Sequence, residues 1–254
     1  MTFNVLLQYI LPHRALSRVV YWATRWRFAP WKNWLIGTIV RNYAVDMSEA
    51  AQPDARAYPH FNAFFTRALR PDARPADTDP AAVLSPADGR ISQTGRIVEG
   101  RIFQAKGHSY TAAELLGSDE AAAAPYRDGC FINVYLSPRD YHRVHMPLPG
   151  TLRETVHVPG RIFSVAPFAV VLVGALLVSS VSTVWDGLVI PPYASSIRRK
   201  SFDGQHITLE RCAELGRFNM GSTVIVLLPA GRTVLDDGLQ PQQAVRVGQR
   251  LGRG

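Results

Sequence analysis

The stretch RFNMGSTVIVLLP, Arg217 to Pro229, joins a Gly-Ser-Thr sequence to an aliphatic run that a proline ends. From Thr223 to Leu228 the residues are β-branched or leucine, a composition typical of a strand buried on both faces. Gly221 and Ser222 stand directly before this run. The pattern fits an ordinary turn that leads into a strand. It also fits a reactive backbone site, because a serine hydroxyl can attack the preceding carbonyl and glycine permits the strained approach.

Short strand-like runs separated by turn residues surround this stretch and indicate a mainly antiparallel β core. The strand candidates are residues 90–98, 129–136, 150–158, 170–184, 206–211 and 223–228. Helical patterns lie mostly before residue 70, at 5–10, 15–26, 31–43 and in FNAFFTRALRP from Phe61, with one further segment at 112–124. The sequence therefore predicts an α+β fold in which N-terminal amphipathic helices precede a β-rich core.

The positive charge of the chain is concentrated near its start. The formal net charge is +8, and residues 1–45 contain six Arg or Lys and no Asp or Glu. Four of the five tryptophans also lie there, namely Trp22, Trp26, Trp31 and Trp34. Basic side chains interleaved with Trp favour a surface of anionic lipid headgroups over nucleic acid, since nucleic-acid motifs do not occur elsewhere. We expect membrane-interface helices over 1–45 and a β-rich domain over 46–254.

One apolar run raises the alternative of a membrane span. No residue between Arg161 and Asp186 is charged, and the run FAVVLVGALLVSSV, Phe168 to Val181, is very apolar. Its content of Val and Ser, together with an internal glycine, favours two buried strands joined by a turn.

Two further clusters contain residues suited to catalysis. SPADGR, from Ser85, includes Asp88, which by itself is ordinary turn chemistry. YLSPRDYHRVHMP, from Tyr135, includes His142 and His145, which point to opposite faces in an extended segment and share a face in a helical turn. No third ligand cluster accompanies them, and the two cysteines have neither disulfide nor metal-ligand spacing. No metal site is predicted.

These clusters occur in one order with LLQYILP, YAVDMSEA, QAKGHSY, VPGRIFSV and STVWDG. In that order the chain resembles bacterial phosphatidylserine decarboxylase, a pyruvoyl-dependent enzyme made as a proenzyme. The resemblance implies self-cleavage between Gly221 and Ser222 into a β chain, 1–221, and an α chain, 222–254, which remain together as a heterodimer. Met220 replaces the Leu that is usual in this motif, a volume-conserving change.

The resemblance also implies roles for individual residues. Asp88 would orient His145, which would deprotonate Ser222 in a relay with the logic of a serine protease. Ser222 would become the covalent pyruvoyl group, form a Schiff base with the amine of phosphatidylserine and accept the electrons released with carbon dioxide. His142 is the candidate proton donor to the α-carbon, and a group that titrates near neutral pH would suit this step. The lipid product would be phosphatidylethanolamine.

A lipid substrate implies work at a bilayer. The resemblance therefore implies a peripheral protein on the cytoplasmic face of the cell membrane, bound to an anionic surface through residues 1–45. Lys106 and His108 of QAKGHSY are candidate contacts to the substrate phosphate, although a surface loop with a solvated Lys is the simpler interpretation. The sequence leaves the oligomeric state open, a homo-oligomer included, and a related decarboxylase for another headgroup is a further alternative.

The chain departs from the family after VPGRIFSV, which ends at Val165. The family has a few tens of residues here, with an Asn-Glu-Arg triplet, before its next strand. We expect an internal deletion at this point. Loss of a core strand would leave open sheet edges and a cavity. The alternative function is therefore a non-maturing, catalytically inactive protein that binds lipid surfaces.

Overall fold

The computed structural model describes residues 13–103, 109–118, 120–158, 161–165, 168–174, 180–189, 196–220, 222–231 and 233–254. Five α-helices are described in these ranges: α1 (His13–Arg25), α2 (Ala29–Tyr43), α3 (Phe61–Phe65), α4 (Ala112–Leu116) and α5 (Glu120–Ala123). Two short 3-10 helices occupy Ala55–Ala57 and Ala124–Tyr126. The predicted helix at 5–10 lies outside the described residues.

Nineteen strands make up the described sheets. They are β1 (Ala82–Leu84), β2 (Gly89–Arg96), β3 (Arg101–Phe103), β4 (Ser109–Thr111), β5 (Cys130–Leu136), β6 (Arg143–His145), β7 (Gly150–Thr151), β8 (Glu154–Val158), β9 (Arg161–Val165), β10 (Ala169–Gly174), β11 (Val181–Thr183), β12 (Gly187–Leu188), β13 (Arg198–Ser201), β14 (Thr208–Leu209), β15 (Glu214–Phe218), β16 (Ser222–Leu228), β17 (Val234–Leu235), β18 (Ala244–Val245) and β19 (Arg250–Arg253).

The strands pair antiparallel, which confirms the predicted α+β fold with a mainly antiparallel core. The largest sheet has eight strands in the order β13-β8-β9-β10-β16-β5-β2-β18. A second sheet has the order β12-β11-β15-β6, and smaller sheets are β1-β19-β17, β14-β7 and β3-β4. Each strand candidate of the sequence contains at least part of one of these strands.

The strand that follows the Gly-Ser-Thr sequence lies inside the large sheet. β16 pairs with β5 from Ser222 opposite Leu136 to Leu228 opposite Cys130, and with β10 on its other side. Val224 and Val226 pack into the core shared with the four-stranded sheet, while Ile225 and Leu227 pack against the layer of α4 and α5.

The apolar run after Val165 is a strand of this sheet. β10 pairs with β9, with Ala169 opposite Val165, and also with β16, so it has a neighbour on each side and leaves no open edge there. The membrane-span alternative for Phe168–Val181 is wrong, because residues 169–174 form a β-strand whose backbone pairs with β9 on one side and β16 on the other. No described helix is long and apolar enough to cross a bilayer.

The N-terminal helices contact the rest of the chain through an aromatic cluster. Buried side chains of α2, α3 and the segments between them form it: Ile36, Val45, Tyr58, Phe61, Phe64 and Phe65. Met220, two residues before Ser222, packs against the same cluster. α2 begins with Pro30 in its first turn, a position where the missing amide hydrogen costs nothing. The helices therefore lie beside the predicted cleavage site.

Candidate active site

Backbone hydrogen bonds bring together the three motifs that the sequence singled out. The amide of His145 in β6 donates to the carbonyl of Pro86 at 2.8 Å, which places SPADGR next to YHRVH. The amide of Phe218 donates to the carbonyl of His142 at 3.0 Å, four residues before Ser222. Ser222 itself lies opposite Leu136 of β5. The segments of Asp88, the two histidines and Ser222 thus converge at one end of the sheet.

Asp88 is a buried carboxylate held by two other groups. Arg74 donates to its oxygens through Nε at 2.9 and 3.0 Å and through Nη2, and the amide of Val247 donates at 2.9 Å. Arg74 also donates to Glu49 at 2.8 Å. Among the hydrogen bonds of the described residues, none joins Asp88 to His145. The implied relay contact is therefore absent from this arrangement, and Asp88 reaches His145 only through its electric field.

His145 is positioned as a neutral base. Its Nδ1 lies 2.7 Å from the carbonyl oxygen of Cys212, which only accepts, so Nδ1 carries the hydrogen. Its Nε2 then accepts from the hydroxyl of Tyr141 at 3.1 Å. Burial lowers the pKa of His145, and the Cys212 carbonyl and the charges of Glu214 and Asp88 oppose this shift. The imidazole is thus unprotonated at neutral pH.

His142 is fully buried and neutral. Its ring packs on Phe65 with ring centroids 4.0 Å apart, and its Nδ1 donates to the carbonyl of Asp140 at 2.8 Å. Its Nε2 is buried without a hydrogen-bond partner. Burial lowers the pKa of His142 to about 3, because the protein removes the water that would hydrate the imidazolium. The expectation that the proton donor titrates near neutral pH is therefore not met by His142 in this structure. Its Nε2 instead presents an unprotonated lone pair.

The backbone before Ser222 is strained and anchored. Met220 has φ of 113°, a region that residues with a side chain rarely adopt. Asn219 accepts from Asn62 Nδ2 at 3.0 Å and donates to Ser180 Oγ at 2.8 Å, which ties this segment to α3 and to the residue before β11. Gly221 and the candidate phosphate contacts Lys106 and His108 lie outside the described residues.

An open cavity of about 680 Å³ adjoins these groups. Tyr141 lies in its wall, so the hydrogen bond from Tyr141 to His145 connects the cavity to the proposed base. Asp88 and five arginines also line it, namely Arg67, Arg74, Arg90, Arg139 and Arg246. Sequence reasoning missed Arg74 and Tyr141 as partners of Asp88 and His145. A signal existed only for Tyr141, which stands inside the YHRVH motif.

The ion pair of Arg74 supports a stability prediction. Replacing Arg74 with methionine leaves the buried carboxylate of Asp88 without its cation, so we expect the free energy of unfolding to fall by about 3 kcal/mol. Arg70→Met is the matched control, because Arg70 is a largely exposed arginine of the same segment, 3.6 Å from Asp72. Thermal unfolding followed by circular dichroism measures both. Equal midpoints for the two variants would contradict the prediction.

Comparisons with known proteins agree with the motif order. A family model described as phosphatidylserine decarboxylase matches residues 61–253, and a model described as PSD matches residues 3–44. The chain is 57% identical over 273 residues to the phosphatidylserine decarboxylase proenzyme of Xanthomonas axonopodis pv. citri (strain 306), covering 97% of each chain. It is 53% identical over 279 residues to the proenzyme of Stenotrophomonas maltophilia (strain R551-3), covering 100% of this chain and 99% of that one. These alignments are longer than the 254 residues of the chain, so the relatives carry residues without a counterpart here.

Proposed function

The chain belongs to the phosphatidylserine decarboxylase family, and from that premise we propose that it cuts itself between Gly221 and Ser222 and then converts phosphatidylserine to phosphatidylethanolamine and carbon dioxide. The observation that carries this proposal is the neutral His145, whose Nε2 lone pair faces a hydroxyl at the edge of an open cavity. A base in this state is what activation of a serine hydroxyl requires.

In the self-cleavage step, Nε2 of His145 takes the hydroxyl proton of Ser222. The oxygen attacks the carbonyl carbon of Gly221, the bond to the Ser222 nitrogen breaks, and that nitrogen takes a proton. Elimination then removes the α-hydrogen of residue 222 as a proton and breaks the bond between Cβ and oxygen, which forms the Cα–Cβ double bond and releases the β chain with a free carboxylate. Hydrolysis of the remaining dehydroalanine releases ammonia and leaves the pyruvoyl group on the α chain. Tyr141 has to yield its place at Nε2 for this transfer.

The buried surroundings of His142 fit a pyruvoyl group formed at position 222. When present, that group supplies a ketone that takes up the substrate amine and the electrons left by carbon dioxide. The unpartnered Nε2 of His142 is a proton acceptor in a site closed to water. We assign to it the proton that goes to the α-carbon, and we infer that the negative charge of the bound substrate raises the pKa of His142 from about 3 so that Nε2 can take up this proton first. His142, which the sequence analysis assigned as the proton donor, is therefore neutral at the start of the reaction. It can donate to the α-carbon only after it has taken up a proton.

The alternative of an inactive lipid-surface protein is not favoured. The relatives that match nearly the whole chain are named proenzymes. The segment after Val165 continues the sheet through β9 and β10 to β16, which carries Ser222. This continuity supports assembly of the site despite the shorter chain, and the placement of the missing residues after Val165 stays a prediction.

The masses of the purified chains and the release of carbon dioxide test the proposal. Purified protein should give two chains under denaturing conditions, split between Gly221 and Ser222, with a blocked and ketone-reactive start on the smaller one. It should also release carbon dioxide from phosphatidylserine in vesicles. A single full-length mass would sink self-cleavage. Two chains with no carbon dioxide release, but turnover of a lipid with another amino-acid headgroup, would reassign the substrate.

The pH dependence of self-cleavage follows from His145. The base has to be unprotonated, and its pKa lies below the ordinary 6.5 because it is buried. We expect a rate that is near its maximum at about pH 8 and falls to half of that maximum only below pH 6.5. Precursor from cell-free translation, shifted to each pH and followed by the appearance of the small chain, measures this. A half-maximal rate above pH 6.5 would exclude the buried neutral His145 as the base.

Exposed aromatic side chains on α1 and directly after it support peripheral binding to an anionic membrane. Trp22 is 72% exposed and Trp26 is 56% exposed, and an open groove runs along them beside Arg25 and Arg27. Tryptophan rings and arginine prefer the boundary between headgroups and acyl chains. We propose this face as the contact that brings the enzyme to its lipid substrate on the cytoplasmic leaflet.

Replacing both Trp22 and Trp26 with serine should weaken binding to vesicles of phosphatidylcholine and phosphatidylserine by about 10- to 100-fold. The variant loses two aromatic rings that the proposed contact buries in the bilayer. Co-sedimentation measures the affinity. Val234→Ser is the control, because Val234 is 73% exposed on β17 and lies outside this face. Wild-type affinity of the double variant would place the membrane contact elsewhere.

A further inference from the structure

Arg67 is a buried cation with unused hydrogen-bond donors. Only 4% of the residue is exposed, and its Nη2 donates to the carbonyl of Arg139 at 3.0 Å. Its Nε and Nη1 are buried and have no hydrogen-bond partner. A buried donor without a partner is costly, and more so on a charged group. The guanidinium therefore has two unpartnered donor nitrogens, each of which shares an edge with Nη2, and Nη2 has a second hydrogen besides the one that Arg139 accepts.

The other arginines around the cavity are accounted for. Arg74 is paired with Asp88 and Glu49, and Arg246 is paired with Glu49 at 3.1 Å. Arg139 lies 3.7 Å from Asp140, and Arg90 is exposed to water. None of the ion pairs among the described residues includes Arg67, and burial lowers its pKa. Of the two buried arginines in the cavity wall, Arg74 is ion-paired and Arg67 is not, although the charges of Asp88 and Asp140 act on Arg67 from a distance.

Arg67 also lies beside the proposed proton carrier. It follows α3 two residues after Phe65, on which the ring of His142 packs. Its charge contributes to the lowered pKa of His142, behind the larger effect of burial. A ligand held by Arg67 would therefore have its reactive end within the neighbourhood of His142 and β16.

We propose that one edge of the Arg67 guanidinium, formed by Nε or Nη1 together with the second hydrogen of Nη2, binds the phosphodiester of the substrate lipid headgroup. This inference rests on the proposed function and assigns a binding residue within the same site. A guanidinium edge matches two oxygens of a phosphate or a carboxylate. The carboxylate is the group that leaves, and an ion pair to it would stabilise the reactant and oppose its loss. The phosphodiester persists from substrate to product, so Arg67 can hold it throughout.

Binding of soluble headgroups to the full-length purified protein tests this inference. The probes are glycerophosphoserine, glycerophosphoethanolamine (which has no carboxylate), serine and inorganic phosphate, titrated calorimetrically. We expect both phosphodiesters to bind, and Arg67→Met to weaken both by about 30-fold or more. Arg67→Lys keeps the charge but loses the planar fork, so it should fall between. Arg70→Met, at a largely exposed arginine of the same segment, is the control.

Several outcomes would overturn the assignment. One is equal affinity of the Arg67→Met and Arg70→Met proteins for the probes. Another is a loss of affinity in Arg67→Met that is confined to the ligands with a carboxylate. A third is inorganic phosphate binding as tightly as the phosphodiesters, which would indicate a free-phosphate site. If Arg67→Met does not fold, as judged by thermal unfolding, Arg67→Lys decides, and wild-type affinities in that variant would refute bidentate binding. Binding that depends on Arg67 in a protein that releases no carbon dioxide would refute the proposed reaction and keep the site.

Discussion

We expect Ser222→Ala to leave a single uncut chain of 28.1 kDa and to abolish decarboxylation. Alanine has no hydroxyl to attack the carbonyl of Gly221, and no pyruvoyl group can form from it. By analogy with removal of a protease nucleophile, we expect the rate of self-cleavage to fall by a factor of about 10⁴ or more. Intact mass under denaturing conditions and carbon dioxide release from phosphatidylserine vesicles measure the two effects. The methyl side chain is small, and β16 is paired on both sides, so the fold should persist.

The matched control is Ser201→Ala. Ser201 is an exposed serine of β13 whose hydroxyl donates to Asp203 at 2.9 Å. It should mature and turn over like the wild type. Two chains from the Ser222→Ala protein would show that the cut lies elsewhere. Two chains from wild type without release of carbon dioxide would instead separate cleavage from the reaction.

His142→Asn separates the two activities in the opposite way. The asparagine amide can replace Nδ1 as donor to the carbonyl of Asp140, while the lone pair of Nε2 is lost. Self-cleavage, for which His145 is the proposed base, should continue. Decarboxylation should fall by about 10²- to 10⁴-fold, the usual contribution of a positioned acid or base. Mass analysis gives the first result, and kcat on mixed vesicles gives the second.

His157→Asn is the control for the burial of a polar amide. His157 is a buried histidine of β8 whose pKa is also lowered, chiefly by burial. Its variant should keep kcat even if the unfolding midpoint shifts. Full activity in the His142→Asn protein would remove His142 as proton carrier. A chain that stays uncut in that variant would assign His142 to maturation instead.

Elements whose signal is local were predictable. β16 is a run of β-branched and aliphatic residues and β5 is a mainly apolar run rich in aromatic and β-branched residues, and α1 and α2 carry helical patterns that follow a proline or begin at one. β6 and β15 were missed, because RVH and ELGRF carry charges and are too short to show a period. They are strands because each pairs with the other, with His145 opposite Glu214. Pairing between distant segments has no local signature.

The partners of the site residues were also beyond the sequence. Arg74 stands in a proline-rich segment, residues 70–86, whose composition is typical of a linker. Its side chain nevertheless donates hydrogen bonds to the carboxylate of Asp88. The amide of Asp77 in the same segment donates to the carbonyl of Gly248 at 2.9 Å, which fastens the segment to the end of the chain. Arg67 reads as one more basic residue of a short helix. Its buried, unpartnered donors follow from the packing of α3 against the sheet layer.

The sequence by itself determined which chemical groups this protein has and where strands and helices can form, because composition and period act over a few residues. It placed a serine after a glycine before a buried strand and two histidines in one short motif. Only the tertiary structure decided that His145 and His142 are neutral, and that Asp88 is held by Arg74. The pKa of an imidazole depends on burial and on the groups around it, and those groups come from segments far apart in the chain.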